Sequence, residues 1–141
     1  MHFDLIQSIS LAGSTAIPND DRCGATSQRA WMIDGSTDLG PAGLMGSQPG
    51  AAWLAATASR AFAAAEAGAL GDTLDYVYAQ TSTAYAAERV RDPVDAWELP
   101  SAAFLAIALA DDALDLAWLA DCACLALRGD AITPWPAAER Q

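Results

Sequence analysis

The chain has 141 residues, the usual size of one domain, and alanine supplies much of an apolar content slightly above half. Its net charge of −11 repels phosphate backbones, which argues against nucleic-acid binding. No apolar run reaches the roughly 18–20 residues of a membrane span and the start lacks a signal peptide, so we expect a cytoplasmic protein without membrane contact.

The first third of the chain predicts two strands separated by a turn-rich loop. Residues 3–11 (FDLIQSISL) alternate loosely, as a strand does, whereas residues 13–24 (GSTAIPNDDRCG) contain several residues that break regular structure. Residues 30–33 (AWMI) form a short apolar run that stops at Asp34 and Gly35, which predicts a buried strand ending in a sharp turn. Residues 36–48 are rich in Gly, Ser and Pro and predict a loop over that turn.

Two helices are predicted next, joined by a short link. The first begins near Pro49, and its apolar residues recur at helical spacing as far as Gly68. The second is predicted to be capped by Asp72, to carry Asp75 favourably in its first turn, and to end before Pro93.

The remaining chain predicts strands. Residues 102–109 and 114–119 flank Asp111–Asp112 and indicate a β-hairpin. Residues 122–127 predict a third strand, and residues 133–141 predict no closing element. Strands, two helices and strands in this order indicate an α+β fold in which the helices cover one face of a sheet.

The cysteines favour a structural role. Cys122 and Cys124 occupy alternating residues of the predicted third strand, as buried side chains do. The single histidine is His2, so the ligands for a zinc site are too few. Three cysteines in total fit a reducing compartment better than a disulfide framework.

Two acidic clusters are candidate metal ligands: the pair Asp20 and Asp21 in the predicted loop, and Asp34 followed by Gly35. A carboxylate at a strand end, next to a glycine whose carbonyl can approach a ligand, suits a hard cation such as Mn²⁺ or Mg²⁺. Two such ions would activate a water molecule and clamp phosphoryl oxygens. The alternative is that these aspartates are solvated turn formers, since Asp-Gly is a common turn dipeptide.

The order of these motifs resembles that of type 2C metal-dependent protein phosphatases. Residues 18–37 (PNDDRCGATSQRAWMIDGST) resemble the family's opening, an acidic pair before a strand and Asp-Gly after it. A Gly-rich loop, a helix starting near PGAAWLA and a second helix follow in the family's order. Residues 100–127 (PSAAFLAIALADDALDLAWLADCACLAL) resemble its paired strands and the Gly-Asp turn after them, with Asp121 in that turn.

This resemblance implies a fold and an activity. The fold would be a four-layer sandwich of two antiparallel β-sheets flanked by helix pairs, of which residues 1–141 form a part truncated at its carboxy-terminal end. The activity would be hydrolysis of phosphoserine and phosphothreonine in a phosphoprotein substrate, in bacterial signalling, by a water activated at a two-metal Mn²⁺ or Mg²⁺ centre. Asp34 would be the catalytic residue that bridges both ions, Gly35 would offer its carbonyl, and Asp20 and Asp21 would bind metal or metal-bound water.

The chain departs from the family pattern in three places. The family's phosphate-binding arginine before the acidic pair is missing, and Ala120 stands where the family has glycine. The further metal-binding aspartates of the family's carboxy-terminal half are also missing. These departures keep an alternative open, a catalytically inactive phosphatase-like module that binds a partner or a phosphorylated ligand. We also expect self-association through exposed sheet edges.

Overall fold

The computed structural model describes residues 2–5, 7–12, 14–16, 18–111 and 113–136. It confirms the predicted α+β class and the order of strands, two helices and strands. The elements are β1 (Asp21–Ala25), β2 (Arg29–Gly35), α1 (Gly50–Ala64), α2 (Leu70–Glu88), a 3-10 turn (Ala96–Glu98), β3 (Ala102–Ala110), β4 (Ala113–Leu119), β5 (Cys124–Arg128) and β6 (Ala131–Trp135). Within the described ranges, no helix is long and apolar enough to cross a bilayer.

The first four strands form one antiparallel sheet in the order β1-β2-β3-β4, and β5 and β6 form a separate two-stranded sheet. The predicted β3–β4 hairpin is confirmed; Asp112, in its predicted turn, lies outside the described residues. The prediction that residues 133–141 form no element is wrong for residues 133–135, which belong to β6, whereas residues 137–141 lie outside the described part. The predicted third strand begins later, at Cys124, because the turn at Ala120 and Asp121 separates it from β4.

The predicted strand over residues 3–11 is wrong for the residues of that segment that the structure describes. Residues 3–5 and 7–11 lie outside helices and strands, and the Phe3 amide donates to the Ser27 carbonyl at 2.9 Å. A strand needs a neighbouring ladder for its amides and carbonyls, and an alternating pattern does not supply one. Ile6 lies outside the described residues.

The predicted loop over residues 13–24 is wrong in its last four residues, which belong to β1. Turn-forming residues dominate the composition of this stretch, but β1 pairs along its whole length with the apolar strand β2. Gly24 lies opposite Trp31, and an added Cβ there would lie 2.4 Å from the indole ring. The large Trp31 side chain on β2 therefore explains why β1 has a glycine at position 24. This is an effect of the neighbouring strand, and the turn propensity of residues 13–24 does not reveal it.

The helices cover one face of the four-stranded sheet. Trp31 and Ile33 of β2 point to this face, and the Trp31 ring stacks on Phe62 of α1 with ring centroids 5.5 Å apart. Alternate strand residues share a face, so this packing fixes which side each β2 residue occupies. Small helix side chains complete the core, among them Ala55, Ala58 and Ala61.

The opposite face of the sheet is only partly covered. Met32 and Trp118 flank Leu105 in register on this face, and each is 44% exposed. Cys122 is buried against Leu105, and Cys124 packs beside it, so both thiols lie in or next to a core cluster. We call this partly covered surface the open face.

The start of α2 differs from its prediction. The helix begins at Leu70, two residues before the predicted cap Asp72, and its N-cap residue Ala69 makes no side-chain cap bond. Asp72 lies in the first turn and Asp75 lies beyond it. The earlier start brings Leu70 into the core at 6% exposure, and this burial accounts for the shift.

Asp38 caps α1 from the preceding loop. Pro49, the N-cap residue, makes no side-chain cap bond. The Gly50 amide donates to Asp38 Oδ2 at 2.6 Å and the Ala51 amide donates to Oδ1 at 3.1 Å. The carboxylate thus satisfies two orphan amides and lies favourably at the positive end of the helix dipole.

Buried Glu98 holds the same loop from its other side. Its carboxylate accepts hydrogen bonds from the Arg91 guanidinium and from the Val94 amide, and Arg91 also donates to the Pro41 carbonyl at 2.9 Å. The bonds from Arg91 and Val94 lower the pKa of Glu98 to about 2, so the pair stays ionised at neutral pH. Both attachments fix the first turn of α1 beside the end of β2.

Replacing Asp38 by alanine is expected to destabilise the fold by about 1–2 kcal/mol, because two amides of α1 lose their acceptor. Asp38→Asn keeps one acceptor oxygen and should cost less. Chemical denaturation at pH 7 measures both values. Asp130→Ala, at an exposed turn, is the control for loss of one negative charge. Equal stabilities of Asp38→Ala and Asp130→Ala would contradict the capping role.

Candidate metal centre

The structure brings the two acidic clusters together at one end of the sheet. β1 and β2 are antiparallel, and Asp21 lies directly opposite Asp34. Directly opposed residues project from the same face, with Cβ atoms roughly 4.5–5.5 Å apart. Trp31 and Ile33 face the helices, so Asp34, one residue further along, faces away from them with Asp21. Two carboxylates in this arrangement can contact a single ion.

Gly35 allows three chain segments to meet beside this pair. Its amide donates to the Asp20 carbonyl at 3.2 Å. An added Cβ would lie 2.8 Å from that oxygen and 3.0 Å from the carbonyl oxygen of Ala51 in α1. A residue without Cβ is therefore required for this close approach. Gly35 thus has a packing role at the site, in addition to the carbonyl that the resemblance assigns to a metal.

The carboxylates of the site repel one another. Partial burial raises the pKa of Asp34, and so do the negative charge of Asp21 and a hydrogen bond that the protonated Asp34 carboxyl donates to Asp21. The charges of Asp121 and Asp20 raise this pKa further. The ion pairs of the described residues do not include Asp20, Asp21, Asp34 or Asp121.

Asp121 lies close enough to Asp34 for its charge to raise the pKa of that carboxyl, although the family resemblance places Asp121 only in a structural turn. It follows β4, and the register that pairs Phe104 with Leu119 carries it to the strand ends near Asp34. Burial raises the pKa of the neighbouring Cys122 thiol, and the charges of Asp34, Asp121 and Asp21 raise it further. Cys122 is therefore held as the thiol, a poor nucleophile, which agrees with its place in the core.

Arg22 follows the acidic pair, and its guanidinium is engaged with the backbone. It donates to the Asn19 carbonyl at 2.7 Å and to the Asp21 carbonyl at 2.6 Å. These bonds stabilise the entry to β1. They also direct the group to main-chain oxygens, so Arg22 does not neutralise the Asp21–Asp34 pair.

The donor set fits one hard cation. Carboxylate oxygens are the donors that Mg²⁺ and Mn²⁺ prefer, and Mg²⁺ is commonly held through one or two carboxylates and several waters. Among the residues that the structure describes, no group of three or more His, Cys, Asp or Glu side chains is arranged to hold a metal ion. Asp21 and Asp34 are thus two suitable donors, and the described residues do not form a complete metal-binding group around them.

Ala120 adopts a backbone conformation that favours glycine. Its φ is +62°, in the left-handed region, where a Cβ approaches the following carbonyl oxygen. This residue forms the turn that leads from β4 to Asp121. At this one of the three departures from the family pattern, alanine thus adopts a backbone conformation that glycine adopts more readily.

Comparison of the chain with protein-family models, with curated proteins and with solved structures gives no match. The geometry of the acidic cluster is therefore the basis for assigning a function.

Replacing Asp34 by asparagine is expected to stabilise the metal-free protein at pH 7 by about 0.2–1 kcal/mol, because one charge of a like-charged cross-strand pair is removed. The pKa of Asp34 in the folded protein is raised above its ordinary value of 3.8. The repulsion therefore does not reduce the free energy of unfolding below pH 3.8, and it does so increasingly as pH rises through the folded pKa of Asp34. Denaturation at pH 3 and pH 7 in a chelating buffer measures the difference. Asp115→Asn, on the other face of the sheet, is the charge control. A destabilised Asp34→Asn at pH 7 would contradict the repulsion.

Ala120→Gly is expected to raise the free energy of unfolding by up to about 1 kcal/mol. Glycine relieves a left-handed strain of roughly 1–2 kcal/mol, and the greater flexibility of the unfolded chain offsets part of the gain. Thermal unfolding measures it. Ala117→Gly, inside β4, is the matched control and should destabilise. Loss of stability in Ala120→Gly would show that this turn does not have the described conformation.

Proposed function

We propose that residues 1–141 form the amino-terminal part of a type 2C metal-dependent protein phosphatase domain, acting in the cytoplasm on phosphoserine and phosphothreonine of a phosphoprotein. One observation carries this proposal: Asp21 lies directly opposite Asp34, with Gly35 against Asp20. In the family that the chain resembles, an acidic pair like Asp20 and Asp21 and a later Asp-Gly like Asp34 and Gly35 belong to one metal site. The β-ladder brings these residues to one place, which separated surface turns would not do.

The residues of the site have distinct parts in the proposed chemistry. Asp34 and Asp21 hold a Mn²⁺ or Mg²⁺ ion through their carboxylates, and Asp20 and the Gly35 carbonyl lie next to it. The bound ion supplies charge neutralisation at phosphoryl oxygens and a water of lowered pKa. The raised pKa of Asp34 means that a proton competes for this carboxylate, so affinity for the cation rises with pH as the group ionises.

The four-layer sandwich is part of the same proposal. The open face carries half-exposed apolar side chains, Met32 and Trp118 among them, and a sheet face of this kind requires a covering layer. The β5–β6 hairpin lies beside it through Cys124 and exposes Leu125 and Leu127. An isolated two-stranded sheet is marginal in water, which supports the hairpin as the start of a second sheet.

We also propose that this chain self-associates through the exposed edge of its four-stranded sheet. Among the described residues, no strand pairs with the outer edge of β4, and Leu114 and Trp118 are exposed on β4. Such an edge offers amides and carbonyls to another chain.

The second candidate function is an inactive phosphatase-like module that binds a partner or a phosphorylated ligand. The incomplete ligand set favours it, because among the described residues two opposed carboxylates are not joined by a third ligand that completes a metal-binding group. Metal binding and phosphoester turnover, measured separately, distinguish the two functions.

Addition of the protein to Mn²⁺ is expected to reduce the electron paramagnetic resonance signal of the free ion, because Asp21 and Asp34 bind it. Asp34→Asn and Asp21→Asn should each weaken this binding roughly tenfold or more, since a hard cation loses one of its two carboxylates. Hydrolysis of p-nitrophenyl phosphate in Mn²⁺ is then followed with the same proteins. The enzyme proposal predicts turnover that Asp34→Asn abolishes.

Asp115→Asn is the matched control, since it removes one exposed charge from the same sheet and should leave binding and turnover unchanged. Mn²⁺ binding without turnover would favour the inactive module. An undiminished Mn²⁺ signal, or equal binding by wild type and Asp34→Asn, would overturn the metal site itself.

A further inference from the structure

A groove of about 410 Å³ lies on the helix-covered side of the sheet, opposite the face that carries Asp34. Small-molecule pockets commonly have volumes of roughly 300–1,000 Å³. The groove runs between α1, α2 and strands β2 and β3, and we call it the helix groove. Its walls are mainly apolar and include Leu54, Phe62, Leu74, Ala102 and Phe104.

The helix groove exists because the surrounding residues are too small or too few to fill it. Ala58 on α1 and Ala102 on β3 both line the groove, and each contributes only a methyl side chain. α2 buries three residues along its length, Leu70, Thr73 and Val77, and so contributes little bulk on this side. Leu54, Leu74 and Phe104 are each only partly buried, which leaves apolar area available to a ligand.

The charged group that lines the groove is a carboxylate. Asp75 lies at its rim on α2 and is exposed, one turn before the Tyr78 side chain, which is 75% exposed. The ion pairs of the described residues involve other side chains. The Thr81 hydroxyl, also at the groove, donates to the carbonyls of Val77 and Tyr78 and is thereby satisfied within α2.

We propose that the helix groove binds a small amphipathic amine. Its aromatic or aliphatic body lies between Ala58 and Phe104, and its ammonium group pairs with Asp75. An apolar body matches the walls, and a cation matches the one carboxylate at the rim. A carboxylate ligand of the same shape is repelled by Asp75 and by the chain's net charge of −11. This site does not depend on the acidic cluster or on the phosphatase proposal.

Three probes with one apolar body test the proposal: 4-phenylbutylamine, 4-phenylbutanol and 4-phenylbutyrate. Titrations followed by amide chemical shifts should give affinity in the order amine, alcohol, carboxylate. A partly exposed ion pair corresponds to an amine affinity about threefold above that of the alcohol. The shifts should map to amides around the groove, such as those of Ala58, Val77 and Ala102. Shifts confined to the open face, near Met32 and Trp118, would overturn the proposal.

Two variants separate local from general effects. Asp75→Asn should bring the amine to the affinity of the alcohol, whereas Asp130→Asn should retain the threefold preference. A preference that survives Asp75→Asn would show that the net charge alone attracts the amine and would overturn the assigned pairing. Ala58→Phe should fill the groove and abolish binding of all three probes, with retained circular dichroism as the check of folding. If Ala58→Phe does not fold, shift mapping on the wild type decides.

Discussion

The carboxylates of Asp21 and Asp34 project from directly opposed positions of an antiparallel ladder, and the acidic cluster depends on that register. Asp21 and Asp34 cannot move apart without breaking the pairing of β1 with β2, which the apolar packing of Trp31 and Ile33 on α1 fixes from the other face. A shift of β2 by one residue in this pairing would turn the Asp34 side chain towards the helix-covered core. Gly35 also restricts this arrangement. The carbonyl oxygens of Asp20, just before β1, and of Ala51, in the first turn of α1, lie where a Cβ on residue 35 would be.

This arrangement has a cost that the fold tolerates. Like charges opposed across a ladder destabilise a sheet by about 0.2–1 kcal/mol, and the described residues offer the pair no cation. Burial and neighbouring charges raise the pKa of Asp34 without a compensating group. Carboxylates that are held together against their repulsion are typical of functional sites, since an arriving cation converts the repulsion into binding. Glu98 differs from Asp34, because hydrogen bonds from Arg91 and the Val94 amide lower its pKa to about 2 and its carboxylate holds a loop.

The sheet divides the molecule into two sides with different packing. On one side, Trp31 and Phe62 form a closed core with α1, although alanines leave the helix groove beside it. On the other side, Met32 and Trp118 remain half exposed, and the β5–β6 hairpin packs against this face through Cys124, beside Cys122. Met32 and the Asp21–Asp34 pair therefore lie on the same, half-covered face of the sheet.

The local sequence pattern predicted those helices and strands whose formation depends mainly on residues close in sequence. The apolar run over residues 30–33 predicted β2, the segments on either side of Asp111 predicted the β3–β4 hairpin, and helical spacing predicted α1 and α2. The sharp turn predicted at Asp34 and Gly35 is wrong, because both residues continue β2 through their pairing with β3. The local pattern missed β1, where turn-forming residues conceal a strand that exists through pairing with β2. It also missed Asp38 as the cap of α1 and Asp121 as a member of the cluster. These two aspartates act across long sequence separations, through contacts that spacing alone does not contain.

The most direct test is a carboxyl-detected nuclear magnetic resonance titration of Asp34 and Asp21 in the absence and presence of Mg²⁺. The account predicts that Asp34 titrates above its ordinary value of 3.8, that Asp21→Asn brings this pKa down, and that Mg²⁺ lowers the pKa of Asp34 in the wild type. If Asp34 titrated at its ordinary value, unaffected by Asp21→Asn and by Mg²⁺, the two carboxylates would not share a site.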